Sequence, residues 1–458
     1  MAANEREITA DMLVELENGG QSNRILEEHL AALLYLPKHA RAFISRVFLG
    51  TTERQITIDA VLASFSKTPV RKMKPLVRAI LRMSVYQILY LDRVPDSAVT
   101  NEAVKLMRKR GLAGLSGFVN GVLRSVCRKK AEGGMESFLP DPADDGTRAL
   151  SIRYSMPEWL VGYFQREYGK KDAIRLMEAF LRPRPVIAAV NTAMQSTEEL
   201  IGILTEEGIE AHPHPYLDTA LVLDSLDALE FSDAFAEGRF YIQDIASQIA
   251  VHAAGIRPGE KILDTCAAPG GKTVMAAMLT GPDGHVTSGD LTERKVAYIQ
   301  ENVDRLCLKN VTARVYDAAV TDPEHLETYD LLICDVPCSG LGSIGRKPEI
   351  RYRISEEGFR ELAKAGRQIL AASLPMLKPG GKLLFTTCTL TTEENEETAA
   401  WLREEMKMEP VPFADRISEK LLLETGEEAE KGYLRLIPGR SDADGFFISL
   451  FQKAGQET

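Results

Sequence analysis

Along roughly the first 130 residues, apolar positions recur at three- and four-residue steps, the period of a helix with one buried face. Leu76, Ile80, Leu81, Val85, Ile88 and Leu89 form one such stripe, and Pro75 stands where a first-turn proline belongs. Ala31-Ala32-Leu33-Leu34 opens another apolar face. Asp96 and Ser97 offer capping oxygens ahead of a helix from Ala98, and Gly111, Gly114 and Gly117 punctuate the chain before a helix through Val119, Val122, Leu123 and Val126. The run Leu139-Pro140-Asp141-Pro142-Ala143-Asp144-Asp145-Gly146 breaks the pattern and reads as a linker. Beyond it, Trp159–Tyr168 and Ser196–Glu207 read as helices and Val186–Val190 as a strand, a small α+β module. From about Gly238 the pattern becomes regular β/α alternation. Strands are expected at Lys261–Asp264, His285–Gly289, Val311–Tyr316, Asp330–Cys334 and Lys382–Thr386, with helices between them and a turn at Lys378-Pro379-Gly380-Gly381. That alternation specifies an open, mostly parallel sheet covered on both faces, whose ligand crevice lies at the carboxyl ends of its strands. The expected domains are a helical one over 1–135, a linker over 136–148, the small module over 149–237 and the α/β domain over 238–455.

Composition narrows the class. With 458 residues, 45% hydrophobic and 26% charged, the chain is that of an ordinary multidomain globular protein, not a disordered, collagen-like or disulfide-scaffold one. No apolar run approaches the roughly 18 residues of a membrane-spanning helix. The opening MAANEREITADM, charged from Glu5 onward, lacks the layout of a secretory signal. The expectation is a cytoplasmic monomer without a membrane segment. Charge is lopsided. Between Lys38 and Lys130 stand 19 Lys and Arg against 5 Asp and Glu, whereas the whole chain carries −11. A basic block beside an acidic remainder suits a polyanion such as RNA. A helical bundle with solvated charged faces, or a surface that docks protein, fits the same block.

The six cysteines are too few for a staple framework in so long a chain. The histidines show no metal-ligand spacing, and no metal is expected. After the first α/β strand comes Asp264-Thr265-Cys266-Ala267-Ala268-Pro269-Gly270-Gly271-Lys272-Thr273. Small residues let backbone amides approach a ligand, and the following helix start favours an anionic group. Gly271-Lys272-Thr273 fits the end of a P-loop, but the first glycine of that motif would fall at Cys266. S-adenosylmethionine suits the pattern better. It needs a glycine turn after the first strand, an acid after the second for the ribose and a polar group after the third for the adenine. Asp290, Asp317 and Asp335 end the second, third and fourth strands, although an Asp in such a place also caps helices.

Cys338, in Asp335-Val336-Pro337-Cys338-Ser339-Gly340, and Cys388, in Thr386-Thr387-Cys388-Thr389, follow adjacent strands and point toward one crevice. Beside a methyl donor, such a pair suggests pyrimidine chemistry. Carbon 5 of cytosine is a poor nucleophile until a thiolate adds at carbon 6 and makes the ring an enamine. The proton on carbon 5 must afterwards leave, and a second thiolate can take it. Depressed thiol pKa values are expected for this work, with Lys272 as a nearby positive charge and Asp335 holding the exocyclic amine and ring nitrogen.

These motifs carry a resemblance. The Cys266–Thr273 loop, the Asp335–Gly340 element, and Thr387-Cys388 followed by Glu393-Glu394-Asn395-Glu396 resemble the two-cysteine RNA cytosine-C5 methyltransferases of the Nop2/Sun group. Tyr241–Gln248 resembles the element preceding that group's catalytic domain. The basic N-terminal block resembles a NusB-type RNA-binding domain, and the combination resembles the bacterial enzymes that methylate 16S ribosomal RNA. The resemblance implies an all-α NusB-like N-terminal domain, a small α+β middle module and a C-terminal Rossmann-like methyltransferase domain. It implies a 16S rRNA or small-subunit precursor as substrate and S-adenosylmethionine held by Cys266, Ala267, Ala268, Pro269, Gly270, Gly271, Lys272, Asp290, Asp317 and Asp335. Cys388 matches the family's nucleophile and Cys338 its resolving thiol, with Asp335 and Lys272 beside the base. Thr389 stands where many members carry Ser. Arg346, Lys347, Arg351 and Arg353, in the loop Gly345–Arg353, are expected to contact RNA. A transfer RNA substrate, or a factor that works by binding alone, remains an alternative.

Overall fold

The computed structural model describes residues 5–141, 143–144, 146–224 and 229–455. The opening Met-Ala-Ala-Asn, and Pro142 and Asp145 of the expected linker, lie outside the described residues. Contacts gather the chain into two compact units, Met1–Arg182 with Ile344–Arg353, and Pro183–Ser343 with Ile354–Thr458. This division falls elsewhere than the expected boundaries near 135, 148 and 237, because the helices Thr147–Tyr154 and Glu158–Ala179 gather with the N-terminal ones.

The first unit is helical. Its central helix, Pro75–Tyr90, starts with proline in its first turn and buries the apolar stripe the sequence shows, including Ile80, Leu81, Val85 and Ile88. Helix Ser116–Gly133 buries Val119, Val122, Leu123 and Val126. Two local expectations change. The helix Ser22–Ala31 ends where Ala31-Ala32-Leu33-Leu34 was expected to open an apolar face, and a turn leads to Pro37 ahead of helix Lys38–Glu53. A residue before proline avoids the helical region, so no helix continues through Leu36 into Pro37. Helix Asp96–Lys109 begins at Asp96 itself, with Pro95 in the capping position and no side-chain cap; the Asp96 carboxylate pairs with Lys130 instead.

The second unit holds two sheets. Strands β1 (Val186–Val190), β2 (Ala211–His214), β3 (Leu217–Leu223) and β4 (Phe240–Ile242) form an antiparallel sheet in the order β2-β3-β1-β4. Helix Thr197–Glu206, capped by Ser196 through a reciprocal bond with Glu199, shares its apolar cluster. The larger sheet contains β5 (Lys261–Asp264), β6 (His285–Asp290), β7 (Val311–Val315), β8 (Tyr329–Asp335), β9 (Leu377–Thr387), β10 (Glu409–Pro410), β11 (Tyr433–Leu436) and β12 (Phe446–Gln452). Its order is β10-β12-β9-β8-β5-β6-β7, with β11 on β12. Strands β5 to β9 run parallel, and β12 runs against β9. The expected turn at 378–381 lies inside β9, where Gly380 takes a left-handed φ of 75° beside a register shift opposite Tyr329. The strand order reverses between β5 and β8. A doubly wound sheet opens its ligand crevice at that switch point.

Candidate active site

The loop after β5 turns on Gly270, whose φ of 103° suits glycine, and enters helix Gly271–Thr280. The Ala267 amide donates to the Gly289 carbonyl (3.0 Å) and the Ala268 amide to Asp290 Oδ2 (3.0 Å). The loop is thus fastened to the end of β6. Asp290 also accepts from the Leu291 amide (2.7 Å) and from Lys295 Nζ (2.9 Å). Asp317, just past β7, is exposed and accepts from the Ala319 amide at 3.0 Å, the turn-capping role open to such an acid.

Do these residues suit S-adenosylmethionine? That molecule presents an ammonium, two ribose hydroxyls and an adenine amine, all donors. Two buried acceptors beside the loop, Asp264 Oδ1 and Gln243 Oε1, lack any hydrogen-bond partner. Burial raises the Asp264 carboxyl to about 7, although Thr273 Oγ1 donates to its other oxygen at 2.8 Å. A Cβ on Gly271 would come within 3.0 Å of Gln243 Nε2, so the glycine lets the Gln243 side chain lie against the loop. These two unpaired acceptors fit the donors of the molecule.

Past β8 and β9 the two cysteine loops meet. Cys338 Sγ and Cys388 Sγ lie 3.3 Å apart. Asp335 and Thr386 are register partners in the two strands, and Thr386 Oγ1 donates to Asp335 Oδ1 at 2.8 Å. Lys272 Nζ reaches the other oxygen at 2.6 Å and lies 5.4 Å from the centre of the Phe446 ring. Burial works against the Lys272 charge, but the Asp335 carboxylate outweighs it and the pKa rises; the Cys388 sulfur is close enough to add to that rise. The Cys338 thiol is pushed up too, first by its hydrogen bond with Cys388 and then by burial, with Glu394 and Asp335 adding negative charge. The expectation of a depressed pKa therefore does not hold for Cys338. It is half-buried among negative groups, and the Lys272 charge is paired with Asp335. Cys266 is likewise raised by burial.

One buried carboxylate ties the cysteine loops together. Glu394 accepts from the Ser339 amide (2.7 Å), Ser339 Oγ (2.6 Å) and Thr391 Oγ1 (2.6 Å), and Thr389 Oγ1 lies 2.5 Å from Ser339 Oγ. Ser339 follows Cys338 and Thr389 follows Cys388. Asn395 holds Thr387 Oγ1 (2.5 Å) and the Thr389 carbonyl (3.2 Å). The loop after Cys338 is pinned by Gly342, whose amide donates to the Cys388 carbonyl (3.0 Å) and where a Cβ would fall 1.8 Å from the Gly445 oxygen. Glu394 and Asn395 carried no role in the sequence beyond their place in a motif. The hydroxyls flanking each cysteine were the available signal. Phe446, from the antiparallel strand, left none.

The four basic residues expected to meet RNA divide sharply. The segment Ile344–Arg353 gathers with the helical unit. Arg351 is fully buried, and its guanidinium donates to the carbonyls of Pro348 (3.1 Å), Ser155 (3.1 Å) and Glu53 (3.4 Å). Arg353 donates to the carbonyls of Leu16 (2.8 Å), Gly20 (2.6 Å) and Gly19 (3.4 Å), capping the end of helix Glu5–Glu17. The Arg351 guanidinium is thus buried on backbone, which corrects its assignment to phosphate, whereas Arg353 keeps an exposed side chain beside its backbone bonds. Lys347 is exposed and Arg346 half-buried. Glu349, in the same segment, accepts from the Ser22 amide (2.9 Å) and hydroxyl (2.6 Å) at a helix start.

A parallel sheet that switches order between β5 and β8, with a glycine turn fastened to an acid at that point, defines a Rossmann-like S-adenosylmethionine-dependent methyltransferase. Residues 252–452 match the family model for 16S rRNA methyltransferase RsmB/F, residues 3–128 that of the NusB family, and residues 156–228 that of the RsmF/B-like ferredoxin-like domain. The Bacillus subtilis (strain 168) protein named "Probable ribosomal RNA small subunit methyltransferase B" is 34% identical over 98% of this chain and 99% of its own. The "Ribosomal RNA small subunit methyltransferase B" of Yersinia pseudotuberculosis (serotype O:1b, strain IP 31758) is 29% identical over 98% and 99%. The solved protein designated PH0851 superposes with a TM-score of 0.82 at 26% identity, covering 99% of this chain and 100% of that one. The chain belongs to the ribosomal RNA small subunit methyltransferase B family. Its helical N-terminal domain, ferredoxin-like module and Rossmann-like catalytic sheet are the three parts the sequence implies. Among the described residues, no helix is long and apolar enough to cross a membrane.

Proposed function

We propose that this enzyme methylates carbon 5 of one cytosine in 16S ribosomal RNA through a transient bond between Cys388 and carbon 6 of the base. The observation that carries this reading is the 3.3 Å approach of the Cys338 and Cys388 sulfurs at the carboxyl ends of adjacent parallel strands. The loop Cys266–Lys272, with Asp290 for the ribose and Asp317 for the adenine, would hold S-adenosylmethionine, which would supply an electrophilic methyl group and leave as S-adenosylhomocysteine. Cys388, as thiolate, adds to carbon 6 and makes carbon 5 nucleophilic. Asp335, held by Lys272 and Thr386, accepts from the exocyclic amine of the base. Once carbon 5 carries the methyl, Cys338 accepts its proton. That electron pair re-forms the ring double bond, the carbon–sulfur bond breaks, and Cys388 leaves as thiolate.

Bisulfite sequencing of RNA from cells lacking the gene tests this. One 16S cytosine should lose its methyl group, regain it with the wild-type gene and not with Cys388→Ala. Loss at a transfer RNA position would reassign the substrate. Restoration by Cys388→Ala would remove the nucleophile assignment.

A further inference from the structure

Positive charge in the helical unit is not equally available. Arg82 is paired with Asp59 and Glu17, Lys109 with Glu7, Arg110 with Asp11, and Lys130 with Asp96. Exposed cations without a carboxylate partner among the described residues also stand elsewhere in the unit, as at Arg93, Arg108, Arg124 and Arg128, but the loop between helices Gln55–Phe65 and Pro75–Tyr90 gathers four. Lys67, Arg71, Lys72 and Lys74 are all exposed there, and none has a carboxylate partner among the described residues. No Asp or Glu occurs between Asp59 and Asp92.

The loop is also built. Arg78, itself bidentate on Glu17 (2.7 and 2.5 Å), donates through Nη1 to three of its carbonyls, Met73 (3.0 Å), Arg71 (3.3 Å) and Val70 (3.4 Å). Val70 and Met73 are buried beneath it, and Ser66 Oγ bridges the Thr68 amide and carbonyl. The backbone is therefore fixed before any partner arrives, and the cations point outward at little further ordering cost.

We infer that this loop, Lys67 to Lys74, is the docking surface of the helical unit for the phosphate backbone of the RNA substrate. Its two larger apolar side chains face the interior, so it offers nothing to insert into a lipid surface, and its charge is unmixed, as phosphate contact requires. The inference rests on the RNA reading above and supplies a contact in place of the one that buried Arg351 cannot make.

The full-length variant Lys67→Gln, Arg71→Gln, Lys72→Gln, Lys74→Gln tests it, with a small-subunit rRNA fragment as probe. Binding measured against salt should lose about three units from the slope of log K on log salt, about 0.7 for each phosphate released. The KM for RNA should rise about tenfold or more at physiological salt, with kcat within about twofold of wild type. The thermal melt should match wild type, since all four side chains are exposed. An unchanged slope and KM would overturn the inference, whether the loop then proved to hold a protein or an anionic vesicle. Wild-type protein that binds RNA but transfers no methyl would count against the proposed function alone, and the binding comparison would still decide the loop.

Discussion

Two thiols 3.3 Å apart share their titration, so the first proton lost leaves the second more tightly held. Cys338 is the holder, raised by Cys388 and by burial, with Glu394 among the negative charges around it. A raised pKa makes Cys338 a strong base that is mostly protonated near neutrality. The sign follows: in the adduct Cys388 is a thioether, but burial, Glu394 and Asp335 still hold the Cys338 thiol up, so decay of the adduct should quicken as pH rises from neutrality. Glu394→Gln keeps the carbonyl oxygen for Ser339 and Thr391 but removes the charge, so the limb should move to lower pH. An unmoved limb would mean that Glu394 does not face the thiol electrostatically. Glu394→Ala releases both loops and should slow turnover on the order of a hundredfold, because misplacement of about an ångström at reacting groups carries that cost. Single-turnover kinetics separate these effects, since a merely structural role would change the melt and leave the pH profile in place.

At the scale of the element, the segment Ile344–Arg353 is a strap fastened by Arg351, Tyr352 and Arg353 onto backbone carbonyls of the helical unit. Arg351→Met should lower the melting temperature by several degrees, since each buried carbonyl left unpaired costs about 1–3 kcal/mol. Arg351→Lys should not restore it, because one ammonium cannot span carbonyls that a planar fork reaches together. A wild-type melt for either variant would contradict that role. The strap also shows where sequence stops being informative. A guanidinium facing phosphate and one buried on carbonyls are the same letter, and only tertiary packing separates Arg351 from Lys347. The parallel strands were legible because burial on both faces demands continuous Val, Ile and Leu runs, as in β5 and β8. The cysteine pair was legible because each stands just past such a strand. Strands β10 to β12 were not, since a two-residue edge and a late antiparallel return carry no β/α rhythm. Nor was Glu394, whose work depends on hydroxyls from two other loops.

At the scale of the whole molecule, a chain of net charge −11 concentrates its positive charge in the helical unit and its chemistry in the parallel sheet. The acidic remainder repels a polyanion, so the proposed reading draws RNA affinity from the basic block and selectivity from what the crevice admits. The proposed reaction depends on one claim, that Cys388 bonds to the base and Cys338 undoes that bond. The direct measurement uses Cys338→Ala with small-subunit rRNA and S-adenosylmethionine, followed by denaturation, nuclease digestion and mass spectrometry of the peptides. The account predicts a methylated cytidine nucleotide on the peptide carrying Cys388, and none when Cys388 is also replaced. A nucleotide on any other residue, or no adduct while Cys338→Ala still turns over at the wild-type rate, would contradict it.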